Sequence, residues 1–213
     1  EAHEKQKTAG EPDIECVLDI LDKVSQAWSD SEYIWRKKSC ESIIKQGLFS
    51  QEMIDYGMQL ISLICSKEYL INSIELELGS LDFFDEGVIS SNGKSKTKIR
   101  SLGPVLHLNQ SPVFVEVIED LVAGIITRNA NIVNPCSAIY DLVLNFIRSI
   151  RDFDPTGLIW SNQAVLLWND NDKLMNEVFN NGKMLINHKL NRKFPFVKKM
   201  SADSNTKLIE NTR

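Results

Sequence analysis

Residues 103–133 read GPVLHLNQSPVFVEVIEDLVAGIITRNANIV, and this stretch decides the fold. Val105-Leu106-His107-Leu108 is a short apolar strand. Pro112 to Ile126 has the spacing of a helix, with proline near the first turn, where its missing N–H costs nothing. Ala130 to Val133 is a second short strand. A strand, a helix and a strand, joined by connections too long for a hairpin, make a right-handed parallel βαβ unit.

Downstream the alternation continues. A helix runs from about Ser137 to Arg151, and Asp154-Pro155 with Gly157 breaks it. Ala164-Val165-Leu166-Leu167-Trp168 is the clearest buried strand, followed by a helix over Asp172 to Phe179 and a strand over Met184-Leu185-Ile186. Upstream, Ile14, Val17, Leu18, Leu21 and Val24 recur at helical spacing behind Asp13, which has the chemistry of an N-cap. A second helix covers Ser31 to Lys45 and ends at Gly47. A third starts at Ser50, with Met53, Met58, Leu60 and Ile61 as its apolar face, and a fourth runs from Lys67 to Leu78 and stops at Gly79. Asn92-Gly93 marks a tight turn within residues 87–98, whose lysines read as a solvated loop.

The fold class is therefore α/β: a helical N-terminal region followed by a doubly wound, mainly parallel Rossmann-like sheet, with ligand sites at the strand C-termini. The expected organisation is a polar lead-in (1–12), a helical region (13–86), a loop or hairpin (87–102), the α/β domain (103–200) and a frayed tail (201–213).

Composition narrows the function. The 213 residues are 43% hydrophobic and 25% charged with a net charge of -5, so no general attraction for nucleic acid or anionic lipid is expected. No apolar run approaches the ~20 residues of a membrane span, and the polar first ten residues do not read as a secretory signal. A cytoplasmic protein is the expectation. Cys16, Cys40, Cys65 and Cys136 form no paired motif and His3, His107 and His188 are scattered, so neither a metal site nor a disulfide is expected. Asp152 and Asp154 flank Phe153 but read as a solvated helix end. The basic run from Lys183 to Lys199, with Phe194 and Phe196, reads as a solvated surface. The four tryptophans read as core or boundary anchors.

Three segments in register resemble the LuxC-type acyl-CoA reductases, relatives of the aldehyde dehydrogenases. The first holds Tyr33-Ile34-Trp35-Arg36, Phe49-Ser50-Gln51-Glu52-Met53 and Glu77-Leu78-Gly79-Ser80-Leu81-Asp82. The second is Gly103-Pro104-Val105-Leu106-His107-Leu108 through Pro112, then Arg128-Asn129-Ala130-Asn131-Ile132-Val133-Asn134. The third is Ala164-Val165-Leu166-Leu167-Trp168-Asn169-Asp170-Asn171-Asp172. Together they cover residues 14 to about 190.

The resemblance implies the cofactor-binding part of an enzyme that reduces fatty acyl thioesters to aldehydes with NADPH, through a cysteine thiolate that first takes the acyl group. It implies cofactor-binding roles for Asn109 and Gln110 in the turn after the first strand, for Asn134 where the family places a lysine toward the ribose, and for Asn169 and Asp170 in the turn after the third strand. The sequence departs from the pattern there: Asn134 lacks the lysine's charge, and Asp170-Asn171 replaces a Gly-Gly turn, putting a carboxylate where pyrophosphate is expected. The family's catalytic cysteine belongs to a further domain, and none of the four cysteines matches it. Cys136, which opens a helix after Pro135, is the nearest to the site. No catalytic residue is therefore assigned, and the chain alone is expected to be inactive. Its partners are expected to be an acyl thioester or a partner subunit, in a homo- or hetero-oligomer. The alternative is a non-catalytic relative that serves as a binding or assembly module.

Overall fold

The computed structural model describes residues 11–109, 111–167, 184–188 and 207–211. Helices α1 (Ile14–Ser29), α2 (Ile34–Gln46), α3 (Gln51–Cys65) and α4 (Lys67–Leu78) come first. A small antiparallel pair follows, β1 (Val88–Ile89) and β2 (Lys96–Thr97). The α/β layer then runs β3 (Pro104–Asn109), α5 (Phe114–Ile126), β4 (Ala130–Pro135), α6 (Tyr140–Phe153), β5 (Gln163–Val165), β6 (Met184–His188) and β7 (Lys207–Asn211). The sheet has the order β5-β4-β3-β6-β7, and every pair is parallel.

Local chemistry sets the helix ends. The Asp13 carboxylate accepts the Cys16 N–H at 2.6 Å, and the Ser50 and Ser66 hydroxyls do the same for α3 and α4. Each cap satisfies a donor that the first turn leaves free. Gly47 and Gly79 end α2 and α4 with φ of 65° and 87°, a left-handed geometry in which a side chain would be strained. The second helix starts at Ile34 rather than Ser31. Asp30 first makes a turn, its carboxylate accepting from Glu32 N at 2.9 Å and its carbonyl from Tyr33 N at 3.2 Å.

One core joins the layers. Val17, Leu18, Leu21, Val24 and Trp28 of α1 are buried against α3, α5 and α6, and each such side chain contributes roughly 1.5–3 kcal/mol. Trp28 packs edge-on to Phe146 at 5.7 Å and donates its indole N–H to Ser149 Oγ at 2.9 Å. The apolar face of α3 is only partly the expected one: Met58 and Ile61 are buried as expected, but the face is shifted away from Met53. Ile54, Gly57, Met58, Ile61 and Ile64 are buried, whereas Met53 is 56% exposed.

Three further expectations are corrected. The run from Ala164 is not a buried strand: β5 lies at the edge of the described sheet, and Leu166 and Leu167 are 37% and 49% exposed. An apolar run signals a parallel strand, but its place in the order follows from the crossovers. The tail expected to fray contains β7, paired in parallel with β6. Asp152 is exposed at the end of α6, as expected, but Asp154 is no solvated residue. Asp152 accepts from Trp35 Nε1 at 2.6 Å and Tyr33 Oη at 3.3 Å, and burial, then the facing Asp152 carboxylate, push the Tyr33 phenol up. The buried Asp154 carboxylate accepts from Thr156 Oγ1 and from the N–H groups of Gly157, Ile159 and Trp160, at 2.6–3.0 Å. The helix expected over Asp172 to Phe179, the basic run beyond His188 and Trp168 lie outside the described residues.

Asp154→Ala leaves three backbone donors without their carboxylate and is expected to cost about 2–4 kcal/mol of stability, read from the urea midpoint at unchanged slope. Asp85 gives a pH prediction. Burial pushes its carboxyl up, but the Ile14 N–H and the Arg128 guanidinium outweigh that and hold it below its ordinary value. A depressed folded pKa stabilises above the unfolded value of about 3.9 and is lost as pH falls through the folded one. Asp85→Asn should therefore be less stable near neutrality and show a flatter loss of stability below about pH 4, measured by denaturant melts across pH.

Candidate functional site

The chain leaves β3 for β4 and β5 on one side, then returns to place β6 on the other flank of β3. The order reverses between β3 and β6, and in an open parallel sheet that reversal opens a crevice at the strand C-termini. β3 ends there at Asn109, whose Cα partners are Pro135 on β4 and His188 on β6.

Asn109 is 0% exposed. Its Oδ1 accepts the Ser111 N–H at 3.1 Å, while its Nδ2 has no hydrogen-bond partner among the described residues. A buried amide donor left unpaired costs about 1–3 kcal/mol; among the described residues Asn162 Oδ1 is also left unpaired, but immediately before β5 rather than at a strand C-terminus. The following turn is tied back by Cys136, whose thiol donates to the Ser111 carbonyl at 3.5 Å. Helices α5 and α6 both begin at this edge, and no side chain caps either N-terminus. The partial positive charge of a helix N-terminus suits an anion.

Asn134 reaches the same edge from the other face. It pairs with Leu108, one residue out of step with Asn109, and alternation along a strand sends the two side chains to opposite sides of the sheet. Asn134 is 2% exposed. Thus the described pair shares an edge without forming one cluster. Gln110, Asn169 and Asp170 lie outside the described residues.

Beneath Asn109 runs a polar ladder that the sequence reading missed. Asn131 Nδ2 donates to Asn129 O at 3.1 Å and to Gln163 Oε1 at 2.8 Å. Its oxygen is thus oriented toward His107 Nε2, 2.9 Å away, which therefore carries the proton. Gln163 passes the chain on to the Ile159 carbonyl at 2.9 Å. The available signal was His107 and Asn131 interrupting otherwise apolar strands. Gly124 of α5 makes room for the ladder, since a Cβ there would overlap the Asn131 carboxamide.

The cysteines form no pair. Cys65 is buried, with its thiol pushed up by burial, and Cys16, Cys40 and Cys136 are half-buried. Among the described residues no group of three or more His, Cys, Asp or Glu is placed to hold a metal, and no helix is long and apolar enough to cross a membrane.

Comparison with known proteins identifies the family and the fold. The family model of the acyl-CoA reductase LuxC matches residues 9–188. The chain belongs to the LuxC acyl-CoA reductase family. The long-chain acyl-protein thioester reductase of Vibrio harveyi is 30% identical over 158 residues, 71% of this chain and 32% of that protein. The reductase 2 of Photobacterium leiognathi is 27% identical over 159 residues, 74% of this chain and 33% of that protein. The chain thus spans about a third of the length of these curated relatives. Among solved structures, succinic semialdehyde dehydrogenase from Streptococcus pyogenes, in complex with NADP+, superposes with a TM-score of 0.72 at 12% identity, over 98% of this chain and 43% of that one. Gamma-glutamyl phosphate reductase from Thermotoga maritima gives 0.60 at 10%, over 97% and 50%. The shared fold is the aldehyde dehydrogenase one, a helical region followed by a parallel sheet.

Gly124→Ala provides a test of the ladder. In an exposed helix the change stabilises by about 1 kcal/mol, but here the methyl meets a carboxamide fixed by three hydrogen bonds. A net loss of about 1–3 kcal/mol is expected; a thermal melt showing stabilisation contradicts the packing described.

Proposed function

We propose that these residues are the dinucleotide-binding part of a reductase that turns fatty acyl thioesters into aldehydes with NADPH. The observation that carries the reading is the buried, unpartnered Nδ2 of Asn109 at the β3–β6 reversal. The surrounding residues fit such a group. Asn109, Ser111, Cys136 and Ser137 bring neutral polar atoms to the edge, and the two helix N-termini without side-chain caps would favour phosphate charge there.

When bound, NADPH supplies the hydride. The protein's share is positioning. Asn109 Nδ2, with Gln110 beside it, donates to an oxygen of the substrate thioester or cofactor, and donors placed before charge develops are effective because they need not reorganise. Asn134 offers a carboxamide toward the ribose, without the full charge of a lysine, and so holds the cofactor more weakly. Asn169 and Asp170, which the family resemblance assigns to the cofactor, are further candidates for contact with it. None of the four cysteines matches the family's acyl-accepting cysteine, so no turnover is expected from these residues alone. The setting is a cytoplasmic protein that works with an acyl thioester or a partner subunit, within a homo- or hetero-oligomer.

Calorimetric titration with NADPH checks the reading. Saturable binding is expected, weakened about tenfold, or ~1.4 kcal/mol, by Asn109→Ala and by Asn134→Ala at unchanged melting cooperativity. No aldehyde should form from an acyl-CoA. Absence of saturation up to about millimolar NADPH overturns the cofactor role and leaves a non-catalytic binding or assembly module.

A further inference from the structure

Away from the sheet edge, a groove runs between α4 and the C-terminal half of α5. Ile64, Leu70, Ile74, Phe84, Val122 and Ile126 form its buried floor. Ser73 of α4 and Ala123 of α5 line the walls, and their small side chains leave the space between the walls unfilled. The groove encloses about 220 Å³, less than the ~300–1,000 Å³ of pockets that bury a whole small ligand. That volume suits a few apolar side chains inserted from outside.

Exposed apolar side chains surround it. Tyr69 and Leu78 stand exposed on the rim. On α3, exposed Met53, Tyr56 and Leu63, with half-buried Leu60, recur at helical spacing beside the floor residue Ile64. An extended apolar surface of this kind marks an interaction site more often than chance exposure.

Charge selects the occupant. Glu77 rises from the α4 wall and Glu119 from the α5 wall, with Glu116 one turn before it, and among the described residues no lysine or arginine lines the groove. The nearby cations are engaged: Arg128 pairs with Asp85 and Glu11, and Lys67 with Glu15 and Asp19. A second copy of the chain in a twofold contact brings this acidic rim against itself, and like charges in a contact are costly. An anionic lipid surface is disfavoured on the same ground. An apolar helical stripe flanked by lysine or arginine matches both the floor and the rim. We propose that the α4–α5 groove docks a basic amphipathic helix of a partner protein.

The test uses two fluorescein-labelled 18-residue helical peptides with the same leucine stripe, one flanked by lysines and one by glutamates, titrated with the 213-residue chain. The lysine peptide is expected to bind at least tenfold more tightly. Ala123→Lys, an exposed helical position, should weaken it at least tenfold without lowering the melting temperature. The double change Glu77→Lys with Glu119→Lys should reverse the preference, whereas Glu41→Lys on α2 should leave it unchanged. Equal binding of the two peptides, or indifference to Ala123→Lys, overturns the proposal. So does a monomer–dimer equilibrium in sedimentation that Ala123→Lys abolishes, because it assigns the groove to a second copy.

Discussion

Arg128 follows α5 in the left-handed region, with φ of 58°, a conformation that costs a non-glycine residue roughly 1–2 kcal/mol. Its guanidinium is also almost wholly withdrawn from water. Both costs are offset at one place. The guanidinium donates to the Phe84 carbonyl at 3.0 Å, pairs with Asp85, reaches Glu11 at 3.5 Å and lies over the Phe84 ring. Asp85 in turn accepts the first N–H of α1 at 2.9 Å. One cation thereby fixes the turn into β4, the segment after α4 and the start of α1. The helical layer is held to the sheet by this junction and by the apolar face of α1. Removing either partner leaves the other charge poorly solvated, which is why such pairs tolerate single substitutions badly.

How much of this was legible depends on whether the signal is local. Asp13, Ser50, Gly47 and Gly79 mark helix ends through chemistry confined to three or four residues, and the structure uses all four in that way. The strand–helix–strand reading of residues 103–133 holds for the same reason. Met53 misled because it lies beside the buried arc of α3 and helical spacing alone does not say where an apolar arc ends. The run from Ala164 misled because five apolar residues look alike in a central strand and in one at the edge. Asp152 and Asp154 receive partners from distant or looped-back segments, and no spacing rule announces them.

The candidate site shows the same division. Placing Asn109 and Asn134 at strand ends needed only the βαβ pattern. That they occupy opposite faces follows from the register Leu108 to Asn134, which no count along the chain supplies. The ladder from His107 through Asn131 to Gln163 crosses three strands. A polar residue in an apolar strand signals that a partner exists, but only the sheet order says which. Gly124 has meaning only once Asn131 is known to face it.

The strand order also sets a sequence of events in folding. Helices α1 to α4 meet through neighbours close in the chain, whereas β3 finds β6 only when Val105 meets Met184. Contacts between distant segments carry the entropy of closing a long loop and form slowly. The crevice beside Asn109 is therefore assembled late, on a helical layer already in place. During synthesis β3 has no partner on its β6 side until that strand emerges. In that interval its open edge is the part of the chain most in need of protection from other strands.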